Sequence, residues 1–218
     1  MADKVRSYEG EDIVVTYSLR RCIHAEECVH GLPAVFDPNR RPWIDSDQAP
    51  ADELAEVVMR CPTGALQFTR KDGGVEEPTP DQNTVTIDPD GPLYVYGNIE
   101  ITLPDGSVHT DTRVALCRCG ATKNQPFCDN SHKDIEFKDP GRFQRVQVRP
   151  QKDDAGGPLK VRLSHNGPLL IQGPLELVGS EESVRGGQAV LCRCGGSGNK
   201  PFCDGTHNKI GFTSESSP

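Results

Sequence analysis

Apolar and polar residues alternate in short runs along most of the chain, with Gly, Pro or Asn between the runs, the period-two pattern of half-buried strands. The runs lie at 13–17 and 66–69, at 84–87, 93–96, 99–102 and 114–116, and at 159–163, 169–172, 175–178 and 189–191. One stretch breaks the period. Over 51–60, Leu54, Val57, Val58 and Cys61 stand at i, i+3, i+4 and i+7, which predicts an amphipathic helix with Cys61 on its buried face. Pro50 suits the start of that helix, Asp52 and Glu53 lie where its dipole favours negative charge, and Pro62 stops it. Segments 71–83 and 150–158 carry the Gly and Pro of linkers, and 214–218 is a polar tail. The pattern predicts an α+β N-terminal domain at 1–76, followed by two small mainly-β units at 77–148 and 149–218.

The last two units are copies of each other. CRCGATKNQPFCDNSH at 117–132 recurs as CRCGGSGNKPFCDGTH at 192–207, 75 positions on. Upstream, Gly91, Pro92, Leu93, Gly97 and Glu100 match Gly167, Pro168, Leu169, Gly173 and Glu176 at an offset of 76, so one residue was lost between the two blocks. The duplication therefore covers whole units with their strands, not a copied loop.

Composition changes the picture by removing one large core from it. Only 34% of the 218 residues are hydrophobic and 6% aromatic, while Gly numbers 22 and Pro 18. Units of about 60–75 residues with so little apolar volume lean on disulfides or metals. There are nine cysteines, an odd number that argues against a fully paired disulfide set, and they divide three to each unit. No apolar run approaches the roughly 20 residues that span a bilayer, and residues 1–5 lack the pattern of a signal peptide. The chain is expected to be soluble and cytoplasmic, where thiols stay reduced and clustered cysteines bind metal. A formal charge of −8 opposes general attraction to nucleic acid or to an anionic membrane.

Each copy offers C-x-C, eight residues, then C-x-x-x-H. Three thiolates and an imidazole suit a closed zinc site and equally an iron–sulfur cluster. Asp129 and Asp204 are placed to cap a helix that begins just before His132 and His207. A nucleophilic role fits poorly with cysteines that come in threes, twice.

The run C-x-C-x-x-[ST]-x-x-x-P-F-C-D-x-[ST]-H resembles the signature of the CDGSH iron–sulfur domains, the mitoNEET family, and the resemblance covers about residues 84–213. It implies a [2Fe–2S] cluster at each motif, one iron on the first two cysteines and the other on the third cysteine and the histidine. Carried over, the sites are Cys117, Cys119, Cys128 and His132, and Cys192, Cys194, Cys203 and His207. The first copy departs at Asn130, where the second has Gly205; Asn tolerates a left-handed backbone, so the site is expected to survive. Tandem motifs resemble the family's monomeric branch, in which two motifs pair internally as a pseudo-dimer. Three thiolates and a neutral imidazole leave such a centre at −1, and one electron takes it to −2, so reduction favours a proton on the free imidazole nitrogen. Protonation of the ligating nitrogen detaches it, which implies lability in mild acid, less so in His132→Cys or His207→Cys.

Cys22, Cys28 and Cys61-Pro62 can be laid against the bacterial ferredoxin run C-x-x-C-x-x-C…C-P, with Ala25 where the second cysteine would stand. Residues 10–70 resemble the divergent single-cluster ferredoxin domains. Three thiolates suit a [3Fe–4S] cluster, or a [4Fe–4S] cluster held at its fourth corner by His24, Glu26 or solvent; a zinc site or a set of buried small hydrophobes is the plainer alternative. His24 reads more simply as a loop histidine that tunes the site, and His30, His109 and His165 as surface residues. Arg118 and Arg193 either offset cluster charge or lie solvated on a strand face. Phe127 and Phe202 read as shielding, Trp43 as core.

The sequence thus predicts a ferredoxin-like domain joined to two CDGSH units. Its function is one-electron transfer or redox sensing toward a partner protein, or else cluster carriage to apo-proteins and iron homeostasis, with a zinc-stabilised interaction module as a third class. No nucleotide motif, flavin motif or nucleophile–base pair points to catalysis. The chain is expected to act as a monomer, without nucleic acid or membrane.

Overall fold

The computed structural model, which describes residues 4–103, 105–143, 145–151 and 156–214, arranges the alternating runs into two sheets. One sheet lies in each of two units, Met1–Pro78 and Thr79–Pro218.

In the N-terminal unit β1 (Val5–Glu9), β2 (Ile13–Ser18) and β3 (Leu66–Arg70) form an antiparallel sheet with β2 central. Between β2 and β3 come a short helix α1 (Glu27–Gly31) and the expected amphipathic helix α2 (Ala51–Met59). Leu54, Val57 and Val58 of α2 pack on Ile13, Val15, Leu66 and Phe68, so the face read from the period is the buried one. Cys61 packs against the same core, but from beyond the helix. The helix ends at Met59, and Cys61 lies in the turn beyond it, half-buried, its N–H donating to the Val58 carbonyl at 3.1 Å. Neither β1 nor α1 is legible from periodicity: β1 is an edge strand exposed at nearly every position, and α1 is little more than one turn.

In the second unit β4 (Thr84–Ile87), β5 (Leu93–Thr102) and β6 (Val108–Leu116) form the first copy. β8 (Leu159–Leu163), β9 (Leu169–Val178) and β10 (Ser183–Leu191) form the second, with the two-residue β7 (Val148–Arg149) on the edge of β10. The runs expected as separate strands at 93–96 and 99–102 are one strand with an irregularity between Tyr96 and Ile99, where Gly97 takes φ +151°. β9 likewise joins the runs at 169–172 and 175–178 through Gly173 at φ +125°.

The copies interleave. β4 runs parallel to β9, with Thr84 opposite Glu176, and β5 runs parallel to β8, with Glu100 opposite Lys160. Under the 76-residue offset these are one pairing made twice. With the antiparallel pairs β4–β5 and β8–β9, the four strands close a ring. Val85, Ile99 and Ile101 of the first copy and Leu159, Val161 and Leu177 of the second fill one continuous core. The copies expected as units of their own at 77–148 and 149–218 thus share a sheet and a core. Residues 152–155 of the linker at 150–158, and 215–218 of the tail, lie outside the described residues. Among the described residues no helix is long and apolar enough to cross a membrane.

Candidate metal centres

β6 ends at Leu116 and hands the chain straight to Cys117, and β10 ends at Leu191 and hands it to Cys192. Each motif loop is then folded back onto its own strand end. Cys117 N–H donates to Pro126 O and Cys128 N–H to Ala115 O; in the second copy Cys192 N–H donates to Pro201 O and Cys203 N–H to Val190 O. The buried hydroxyls of Thr122 and Ser197 bond the Phe127 and Phe202 carbonyls and brace the turn from inside. Phe202 is fully buried and Phe127 partly, both packed against the core.

This folding brings the expected ligands together in pairs. The thiols of Cys117 and Cys119 are 3.6 Å apart and those of Cys192 and Cys194 3.7 Å. Cys128 Sγ lies 3.4 Å from His132 Nδ1, and Cys203 Sγ 3.3 Å from His207 Nδ1. One-turn helices α3 (Ser131–Asp134) and α4 (Thr206–Lys209) carry the histidines. Their N-cap positions are held by Asn130 at φ +71° and Gly205 at φ +86°, so Asn130 does take the left-handed backbone asked of it. The expectation that Asp129 and Asp204 are the N-caps is corrected by one residue. Each carboxylate still binds the first turn, accepting from Ser131 N (3.0 Å) or Thr206 N (2.9 Å), and also reaches back to Lys123 N or Gly198 N at 2.8 Å. These bonds hold both carboxyl groups below the usual carboxylate range, in Asp129 against the opposing pull of burial.

The bare thiols are poorly placed to ionise alone. Burial, before any other cause, pushes Cys128 and Cys192 up to about 11 and raises Cys203. Within the Cys117–Cys119 pair, the shared hydrogen bond holds Cys117 up and Cys119 down. His132 is held below the ordinary imidazole value by burial, with Lys133 adding to it. Such a set favours thiolates once a cation supplies the compensating charge. Metal–sulfur bonds of about 2.3 Å at tetrahedral angles set two thiolates about 3.8 Å apart, close to the spacing of the two cysteine pairs. Among the described residues no three His, Cys, Asp or Glu side chains gather as a ligand set for a single ion. Each motif thus offers two ligand pairs, one of two cysteines and one of cysteine with histidine.

Arg118 and Arg193, which the sequence left between solvent and cluster, are both buried. Each binds the turn before its own copy's long strand: Arg118 Nε donates to Gly91 O at 2.8 Å, Arg193 Nε to Gly167 O at 2.9 Å. Phe137 and Phe212 stack beneath the guanidinium groups. Two carboxylates beside Arg118 were missed from sequence: Asp139 pairs with it, and Asp88 bends over Gly91. Laying the copies residue against residue would have found them, because their counterparts are Ser214 and Ser164.

In the N-terminal unit Cys22, Cys28 and Cys61 line a cavity of about 740 Å³ together with His24, Ala25, Glu26, Tyr17 and Trp43. The loop reaches round Ala25 with two residues in the left-handed region, His24 at φ +54° and Glu26 at φ +64°. Such turns aim backbone N–H groups into a concavity, as anion and iron–sulfur sites require. Burial pushes the Cys28 thiol up to about 11, with Cys61 adding to it. Trp43 packs edge-on against Tyr17 at 5.0 Å and borders the cavity, so it is core and wall at once. His30 and His165 are exposed, whereas His109 bonds Asp111 and packs against Phe127.

Comparison with known proteins finds metal-binding families over the same stretches of chain. Residues 8–71 match the family model of a divergent 4Fe-4S mono-cluster, and residues 90–133 and 166–208 each match that of the iron-binding zinc finger of CDGSH type. The uncharacterized protein YjdI of Escherichia coli K12 is 36% identical over 66 residues, which is 30% of this chain and 87% of YjdI, and its counterpart in strain O157:H7 matches equally. No solved structure matches. The chain thus combines an N-terminal domain of the divergent 4Fe-4S mono-cluster family, the region similar to YjdI, with tandem iron-binding domains of CDGSH type.

Proposed function

We propose that the protein carries single electrons between partner proteins, or reports their redox state, through two [2Fe–2S] centres and one N-terminal [3Fe–4S] or [4Fe–4S] centre. The observation that carries this is the pairing of ligands, cysteine with cysteine and cysteine with histidine, at the spacing of one tetrahedral metal each. Cys117, Cys119, Cys128 and His132 hold the first [2Fe–2S] centre, Cys192, Cys194, Cys203 and His207 the second, and Cys22, Cys28 and Cys61 the N-terminal one. Bound at such sites, an iron–sulfur cluster takes up and releases one electron without making or breaking a bond to the protein.

The chain's own groups do the rest. Nδ1 of each histidine faces the sulfur of its cysteine, leaving Nε2 free to hold a proton. Phe127 and Phe202 keep water from one side of the motif loops. The repeats pair as an internal pseudo-dimer, so one chain supplies both halves, and no residue is assigned a catalytic step.

Iron and acid-labile sulfide analysis of the purified chain, with EPR of oxidised and reduced samples, tests this reading. Coloured protein with both elements, and [2Fe–2S] signals only after reduction, is the expected result. A colourless protein holding stoichiometric zinc overturns it. Loss of the protein's own visible absorbance to an added apo-ferredoxin, in place of simple oxidation by an acceptor, shifts the reading to cluster carriage.

A further inference from the structure

The two CDGSH centres are built on one hydrogen-bond plan with different charges. In the first copy Asp90 N donates to Asp139 O at 2.8 Å and Asp139 N to Asp90 Oδ1 at 2.7 Å, while Arg118 bonds Asp88 O and pairs with the Asp139 carboxylate. In the second, Asn166 N donates to Ser214 Oγ at 3.0 Å, Ser214 N to Asn166 Oδ1 at 2.8 Å, and Arg193 to Ser164 O at 2.7 Å. The frame is kept, and all three carboxylates, Asp88, Asp90 and Asp139, are replaced by the neutral Ser164, Asn166 and Ser214.

This turn stands against the histidine ligand. A Cβ on Gly167 would sit 3.7 Å from His207 Nε2, and on the equivalent Gly91 it would run into the Asp88 carboxylate, which acts electrostatically on His132. Lys138 offsets Asp90 from the exposed side. Arg193 finds no carboxylate among the described residues; its Nη1 lies 3.5 Å from Gln125 Oε1 of the other copy. Arg193 lies within electrostatic reach of the Cys117 and Cys194 thiols, so its charge acts on both centres, whereas the three carboxylates, partly offset by Lys133 beside His132, stand only at the first. Burial separates the centres further. Cys119, Cys128 and His132 are buried, whereas Cys194, Cys203 and His207 are half-exposed.

We infer that the two centres are unequal by construction, the second (Cys192, Cys194, Cys203, His207) accepting an electron at higher potential than the first (Cys117, Cys119, Cys128, His132). The inference rests on the [2Fe–2S] reading above. Each centre becomes more negative by one charge on reduction; adjacent carboxylates and low solvent exposure oppose that gain, and their absence favours it. An external one-electron donor supplies each electron, and the first one delivered comes to rest on the second centre.

A potentiometric titration of the full-length holoprotein, with dithionite as reductant and the [2Fe–2S] EPR signals as readout, tests it. Two separate reduction steps are expected. Asp88→Ser with Asp90→Asn and Asp139→Ser should raise the lower step toward the upper one and leave the upper in place. Ser164→Asp with Asn166→Asp and Ser214→Asp should lower the upper step. Should the first triple variant lose its clusters, Asp139→Asn alone, which keeps the shape and an oxygen acceptor, must still raise the lower step. Two centres that titrate together in the unmodified protein, or a lower step indifferent to the carboxylates at unchanged iron content, would overturn the inference. Absence of any [2Fe–2S] signal would instead sink the cofactor reading, and this inference with it.

Discussion

Gly120 and Gly195 follow the second cysteine of each motif, where the two motif loops meet in a bridge between Cys119 and Cys194. Both have positive φ, +84° and +75°, and a Cβ on either would strike the backbone carbonyl of the cysteine opposite, Cys194 or Cys119. Gly195→Ala must therefore strain φ and part the two loops, a cost of about 2–4 kcal/mol, read as a lower denaturant midpoint with earlier loss of visible absorbance. Gly205 is also left-handed, at φ +86°, but nothing lies within 4 Å of its missing Cβ, and Asn130 already occupies the same place in the first copy. Gly205→Asn should cost less than about 1 kcal/mol and leave the spectrum unchanged. At this scale the sequence was most legible for the ligands, because a metal demands fixed spacing of fixed chemistry. It was least legible for Arg118 and Arg193. A charged residue between two ligands reads as exposed, and what buries these two is a turn far along the chain, whose carbonyls cannot be foreseen from local pattern.

Among the strands, the period-two pattern located most of the buried runs, and what it lost was continuity. β5 and β9 each read as two strands because a glycine breaks the alternation where the register shifts. β6 and β10 were recognised only at their last three residues, since their first halves alternate among polar residues such as Thr110, Asp111 and Arg185, with no apolar face to announce them. One buried side chain fastens the irregular places together. Asn83, at the start of β4, accepts from Asn98 N at 2.8 Å beside the β5 irregularity, and donates to Pro174 O at 2.9 Å in β9 and to Gly157 O at 3.1 Å before β8. Its counterpart under the repeat is Leu159, so the link exists once, not twice. Asn83→Ala leaves one donor and two acceptors without that partner at the seam between the copies. The expected cost is about 2–4 kcal/mol, measurable by chemical denaturation of the holoprotein, with the seam amides losing hydrogen-exchange protection first.

At the scale of the molecule, scarce apolar residues suggested three units in which a cluster stands in for a core, and that suggestion implied an apo-protein that unfolds. Interleaving removes the premise for the second unit. The repeats pool their apolar residues into one core, in which Val85, Leu93, Ile99, Leu159, Leu169 and Leu177 are all fully buried, and the strands around it close on one another without help from a ligand residue. Parallel pairing between copies is invisible to a reading that takes each repeat alone, because neither copy shows an unmatched face until the other is beside it. The motif loops are anchored to the sheet by backbone bonds and by the buried Arg118, Arg193, Phe127 and Phe202, but the turns that carry the histidines, α3 and α4, depend further on whatever the cysteines and histidines bind. Stripping the metal with a chelator under reducing conditions should therefore abolish visible absorbance and release the histidine-bearing turns while the sheet persists. Far-UV circular dichroism should keep its β signature, and amides of β4, β5, β8 and β9 should stay protected from exchange while those of α3 and α4 do not. Collapse of the whole spectrum on chelation would show that the clusters, and not the shared core, hold the second unit together.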